Sequence, residues 1–81
     1  MPAPPPANPS LRQIFAKNMR KIRESQNKSQ ESLADICELH RTFISMIERG
    51  KQNISIDNIE KIANGLNISP IELIKPLDAD E

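Results

Sequence analysis

Residues Ser29 to Asn53 read SQESLADICELHRTFISMIERGKQN, and the pattern within them is two short helices with a turn between. Ser29 stands where an N-cap belongs, with a hydroxyl able to accept from a backbone N–H one turn on, and Ser32 occupies the place that a Glu fills in a capping box. Leu33, Ala34 and Cys37 form one apolar face, which predicts a helix over 30–37. Glu38 to His40 interrupt that face as a three-residue turn. Ile44 and Ile47 then make the inner face of a helix over 41–49, Phe43 flanks it, and Gly50 is its C-terminal stop. Small Ala34 sits where the two backbones must approach, and apolar residues at 33, 37, 39, 44 and 47 lock the crossing.

Upstream, Leu11, Phe15, Met19 and Ile22 recur at helical spacing, with Arg12, Lys17, Arg20 and Lys21 mostly off the stripe, so a helix is expected over 10–25. Asn27 and Lys28 break it. Downstream, Ser55 caps a helix over 56–65 whose Ile56, Ile59, Ile62, Ala63 and Leu66 are apolar, with Gly65 near its end. Ser69-Pro70-Ile71-Glu72 reads as a capping box with proline at the first helical position, and Pro76 ends that last helix. No segment shows clear strand alternation. The expected class is all-α, five helices, with an aliphatic core because two Phe are the only aromatic residues.

The expected organisation is a folded domain over 10–77 between two flexible ends. Residues 1–9, MPAPPPANP, hold five of the seven prolines and no charged side chain, which suits an extended, disordered arm. Residues 78–81 form an acidic tail. A domain this small buries only about 60% of the surface its unfolded chain exposes, and one cysteine, Cys37, excludes an internal disulfide. Cys37 on the inner face is a small core residue. A single histidine, His40, leaves no Cys/His cluster with metal-ligand spacing, so no metal and no cofactor is expected, and stabilisation falls to a partner chain. No apolar run has the length of a membrane helix and no signal peptide is evident, so no membrane contact is expected and the place of action is the reducing cytoplasm.

The chain has zero formal net charge, unlike many nucleic-acid-binding domains, but its charges are divided. From Ser10 to Asn53 nine Lys/Arg (12, 17, 20, 21, 23, 28, 41, 49, 51) face five acids, giving +4, and from Ile54 onward two Lys face six acids, giving −4. Two helices joined by a three-residue turn make a helix-turn-helix, a geometry that puts the start of the second helix into the major groove. Arg41, Thr42 and Ser45 would face base edges there. Arg41 leads, because a guanidinium bonds bidentately to guanine O6 and N7, while Thr42 offers a hydroxyl or a methyl. The plain alternative for each is a solvated surface side chain. His40, bordering the turn, could cap the following helix or touch a phosphate.

The stretch from Ser29 to Asn53 resembles the lambda-repressor-like helix-turn-helix family of phage repressors and Xre-like regulators. Gln30, Leu33-Ala34, Leu39, Ile44-Ser45, Ile47-Glu48-Arg49-Gly50, Ile62-Ala63 and Leu66 all fall at family positions. Arg41 to Ser45 followed by Ile47-Glu48-Arg49 look most like the controller proteins of restriction-modification systems. The resemblance implies a bacterial or phage-encoded homodimer that binds a double-stranded DNA operator and regulates transcription of its own operon and an endonuclease gene. It assigns Gln30 to a phosphate or base edge near a helix N-terminus, pairs Arg23 with Glu48 as a buried structural ion pair, and puts Phe43 where an aromatic can lie against DNA. Arg49, Lys51, Gln52 and Asn53 are candidates for backbone phosphates, contacts that position without specifying. Glu38 departs from the family's glycine at a turn position that requires positive φ.

The apolar residues of the last two helices exceed what one small core consumes, so Ile56, Ile59, Ile71, Ile74 and Leu77 are assigned to a dimer interface. A phage-type repressor or a toxin-antitoxin antitoxin would use the same residues 29–53. A helical protein-interaction adaptor, docking through its acidic half, is the reading from another class. An enzyme is not indicated, since no nucleophile–base pair, metal cluster or phosphate-cradling loop is present in the sequence.

Overall fold

Three serines begin three of the helices in the computed structural model, which describes residues 9–77; the acidic tail and all but the last residue of the Pro-rich arm lie outside the described residues. The elements are α1 (Leu11–Ser25), α2 (Gln30–Cys37), α3 (Arg41–Glu48), α4 (Ile56–Leu66) and α5 (Ile71–Ile74), with no strand among the described residues. Ser10 accepts from Gln13 N at 3.2 Å while Ser10 N donates to Gln13 Oε1 at 2.8 Å, a complete capping box. Ser29 accepts from Ser32 N at 2.9 Å and Ser55 from Asn58 N at 3.1 Å. His40 occupies the N-cap position of α3 but its imidazole makes no capping bond. The capping box anticipated at Ser69 does not form either. Pro70 is already helical (φ −56°, ψ −26°), and the first turn of α5 closes through Glu72 N to the backbone oxygen of Ser69 at 3.0 Å.

The first four helices end by the same device. Asn27, Glu38, Gly50 and Asn67 all have φ between 57° and 69°, and the next residue's N–H reaches back to the carbonyl five positions earlier: Lys28 to Arg23, Leu39 to Ala34, Lys51 to Met46 and Ile68 to Ala63, at 2.9 to 3.2 Å. Asn and Gly enter this left-handed region readily, whereas Glu38 carries a steric cost of roughly 1–2 kcal/mol. The positive φ expected at 38 is present. Asn67, not Gly65, terminates α4, one residue beyond the expected end, and α3 stops at Glu48 with Arg49 closing its last turn.

Every helix contributes to the core. Met19, Leu33, Ile44, Ile62, Leu66 and Leu73 are fully buried, and Phe15, Ala34, Cys37, Ile47 and Ala63 surround them. α1 packs on α3 and α5, and α2 on α3 and α4, so α1 and α2 bridge the remaining three. Leu11, read from its spacing as part of the inner stripe, is instead exposed, at the first position of α1. Asn18 is the reverse case: it is buried, and its Nδ2 donates to Leu73 O at 3.1 Å and Lys75 O at 2.9 Å, which fastens the short α5 to α1. Gln26 does the same for α4, donating to Leu66 O at 2.8 Å.

Gly65 lies inside α4, where a glycine ordinarily costs about 1 kcal/mol relative to alanine. The reason is the α2–α4 crossing. A Cβ at 65 would stand 2.6 Å from Cys37 Sγ and 3.3 Å from Ile36 Cγ2. Burial also pushes the Cys37 thiol above its ordinary pKa, with Lys61 opposing, so it packs as a neutral group. Gly65→Ala is expected to destabilise the fold by about 1–2 kcal/mol, overpacking outweighing the gain in helix propensity. In a Cys37→Ala background the same substitution should cost clearly less, read as the coupling between the two in denaturant unfolding.

Candidate nucleic-acid interface

The α2–α3 pair is held from below by one ion pair. Arg23, near the end of α1, donates through Nε to Glu48 Oε2 at 2.7 Å and through Nη2 to Glu48 Oε1 at 2.9 Å, a bidentate fork in which the glutamate side chain is only 3% exposed. The third guanidinium nitrogen, Nη1, donates to Lys28 O at 2.7 Å and so fixes the α1–α2 connection. The hydrogen bond to Glu48 raises the Arg23 pKa further, against an opposing contribution from burial, and the charges of Glu48 and Glu24 add to the rise. Gln30, the first residue of α2, donates Nε2 to Glu48 Oε1 at 3.1 Å. One carboxylate at the end of α3 therefore receives donors from α1 and α2, and three helices are set against each other through it.

With its base fixed, α3 turns Ile44 and Ile47 into the core and a polar face outward. Arg41 and Thr42 are exposed at its start, Ser45 is half-buried one turn later, and Arg49 is exposed at its end. Lys51 and Asn53 follow as exposed side chains with Gln52 half-buried between them. Phe43 lies on the flank, half-buried against the core, where with Leu39, His40, Glu38 and Asn58 it borders a shallow depression. Gln30 is half-buried with its amide turned to Glu48, so a phosphate at that helix start would have to share it.

A residue the sequence reading did not single out also reaches this face. Met46 is half-buried, four residues after Thr42 and three before Arg49, and its Sδ lies 3.2 Å from Arg49 Nη2. Its position relative to Thr42 was the available signal, since residues four apart stand one above the other on a helix.

The residues assigned to a dimer interface divide into two groups. Ile56, Ile71 and Ile74 are 83%, 59% and 43% exposed, whereas Ile59 packs against the core and Leu77 is half-buried. Leu11, 62% exposed, was not anticipated. With Phe15, Ile54, Ile59 and Ile74 it lines an apolar groove on the side of the domain formed by α1, α4 and α5. No helix among the described residues is long and apolar enough to cross a membrane.

Two short helices crossing over a buried ion pair, with the second presenting a largely polar outer face, define a helix-turn-helix domain. The chain belongs to that family: the Helix-turn-helix model HTH_3 matches residues 19–73. It is similar to the control protein C.BamHI of Bacillus amyloliquefaciens, with 52% identity over 66 residues that make up 80% of this chain and 82% of the relative. Among solved structures it resembles the restriction-modification controller protein C.AhdI from Aeromonas hydrophila, with a TM-score of 0.75 and 39% identity over 76% of this chain and 94% of that one. It also resembles the controller protein C.Esp1396I, solved as a tetramer in complex with its natural 35 base-pair operator, with a TM-score of 0.74 and 35% identity over 82% of this chain and 87% of that one.

Glu48→Ala should lower unfolding free energy by about 3–5 kcal/mol, because it strands a buried guanidinium as well as the Gln30 amide. The exposed i,i+4 pair Arg20–Glu24, 3.2 Å apart, is the internal control. Its removal should cost less than about 0.5 kcal/mol in the same denaturant titration.

Proposed function

We propose that the protein is a sequence-specific DNA-binding transcription regulator that acts in the cytoplasm as a homodimer on an operator, in the role of a restriction-modification controller. The observation that carries this reading is the fixed presentation of α3: its inner face and its last glutamate are locked into the domain, and its outer face offers Arg41, Thr42 and Ser45 in the order a major groove would meet them. The controller relatives and the operator-bound C.Esp1396I support the choice of this role over a phage repressor or an antitoxin.

In this reading Arg41 specifies a guanine, Thr42 and Ser45 contact neighbouring base edges, and Phe43 lies against the sugar-phosphate wall from its flank. Arg49, Lys51, Gln52 and Asn53 engage phosphates, with Gln30 adding a contact from the start of α2. The +4 charge of residues 10–53 supplies the salt-sensitive attraction. Ile56, Ile71, Ile74 and Leu11 meet their copies across a two-fold axis, bringing two recognition helices about 34 to 36 Å apart, one turn of DNA.

Binding to DNA from upstream of the protein's own gene, compared with scrambled duplex across a salt series, should be selective and fall steeply with salt. Arg41→Ala should lose about 1–3 kcal/mol of discrimination, confined to one base pair of each half-site. Equal weak binding to both duplexes would refute operator readout. Separately, Ile56→Glu combined with Ile74→Glu, both at exposed positions, should leave the helical circular dichroism signal intact while converting the sedimenting species from dimer to monomer.

A further inference from the structure

The outer face of α3 carries one side chain that neither hydrogen-bonds to bases nor pairs with phosphates. Thr42, Ser45, Met46 and Arg49 form that face, and of these only Met46 is apolar. A helical side chain leans toward the N-terminus of its own helix, so Met46 covers the turn above Thr42 and Arg49 leans back over Met46. The structure records the second contact directly, with Arg49 Nη2 3.2 Å from Met46 Sδ. Half-burial gives the thioether a floor to pack on, and its place four residues after Thr42 puts the two on one face of the helix. An ammonium or guanidinium at this position would seek a phosphate. A methyl-tipped thioether held in a row of polar groups has as its complement the one apolar group displayed in the major groove, the C5-methyl of thymine.

Resting on the operator-binding reading, we propose that Met46 is a specificity-determining residue that contacts a thymine C5-methyl in each half-site, and that its sulfur holds the Arg49 guanidinium for the adjacent phosphate. The contact lies about one helical turn along α3 from Arg41, so the thymine falls within the same half-site as the guanine assigned to Arg41 but at a different base pair. Specificity then rests on an apolar contact as well as on hydrogen bonds. The two are separable, because removing a methyl from DNA leaves every hydrogen-bonding group in place.

The test uses the full-length protein and the duplex it prefers from a random-sequence pool. Each thymine of that duplex is replaced singly by uracil, and affinity is measured for the wild type, Met46→Ala and Met46→Leu. One replacement per half-site should weaken wild-type binding by roughly four-fold, the loss expected for one buried methyl group. Met46→Ala should be insensitive to that replacement, and Met46→Leu, which retains an apolar tip without sulfur, should remain sensitive. Loss of the sulfur should also lower the salt slope of Met46→Leu toward that of Arg49→Ala. Uracil effects that are the same in Met46→Ala as in the wild type at every position would overturn the proposal while leaving operator recognition intact. Failure of the wild type to enrich any duplex would overturn operator recognition, and this proposal with it. Unchanged helical circular dichroism in both variants separates these outcomes from misfolding.

Discussion

The Arg23–Glu48 fork is the constraint on which the rest of the domain depends. Buried charge pairs are poor sources of net stability, since desolvation offsets most of their attraction. Their strength is directional. A guanidinium presents its donors in a plane, and a carboxylate accepts two of them side by side, so the pair tolerates little rotation of α3 relative to α1. The third donor bond, to Lys28 O, ties the same plane to the chain entering α2, and Gln30 ties the carboxylate to α2 itself. An aliphatic contact in this place would fill the volume but let the helices slide. For a surface that must match base pairs in register, orientation matters more than the last kilocalorie of stability.

The aliphatic core supplies what the ion pair does not. Six fully buried side chains drawn from all five helices make the domain cohesive, and the polar ties of Asn18 and Gln26 decide how α5 and α4 close over it. α5 is one turn long and could not persist as an isolated helix. It is held by Leu73 in the core and by the Asn18 amide on its terminal carbonyls, which are the groups a helix end leaves without partners. The outer surfaces of α4 and α5 are thereby fixed too, and with them the directions in which Ile56, Ile71 and Ile74 point.

Much of this was legible in the chain. The limits of α2 follow from Ser29 and from the turn at Glu38, and those of α3 from the same turn and Gly50, because capping chemistry is local and acts within one turn. Periodicity failed where long-range packing decides. Leu11 has the right spacing for the core and lies beyond its edge, whereas Asn18 looks like a surface amide and is buried, since its partners are carbonyls more than fifty residues away. The Ser69 signal failed for a different reason: Pro70 enters the helical region directly and the turn closes through backbone atoms, leaving the hydroxyl no role. Of the candidate DNA-facing residues, Arg41, Thr42 and Ser45 could be placed by counting along the helix after the turn. Met46 could not be picked out by residue type, because methionine ordinarily signals a core position.

Four successive helices end on a left-handed residue followed by a donor to the carbonyl five positions back, and each of these stops is complete within six residues. Helix length is thus written into the chain in short windows, independently of which helices later touch. Kinetically, the chain's search is over the arrangement of rods whose ends are already set, and the slowest closure left to it is the long one that brings α5 back onto α1. A newly made chain of this kind would expose a finished α3 surface and an unpaired isoleucine surface almost as soon as it is released, and its next event would be an encounter with another molecule.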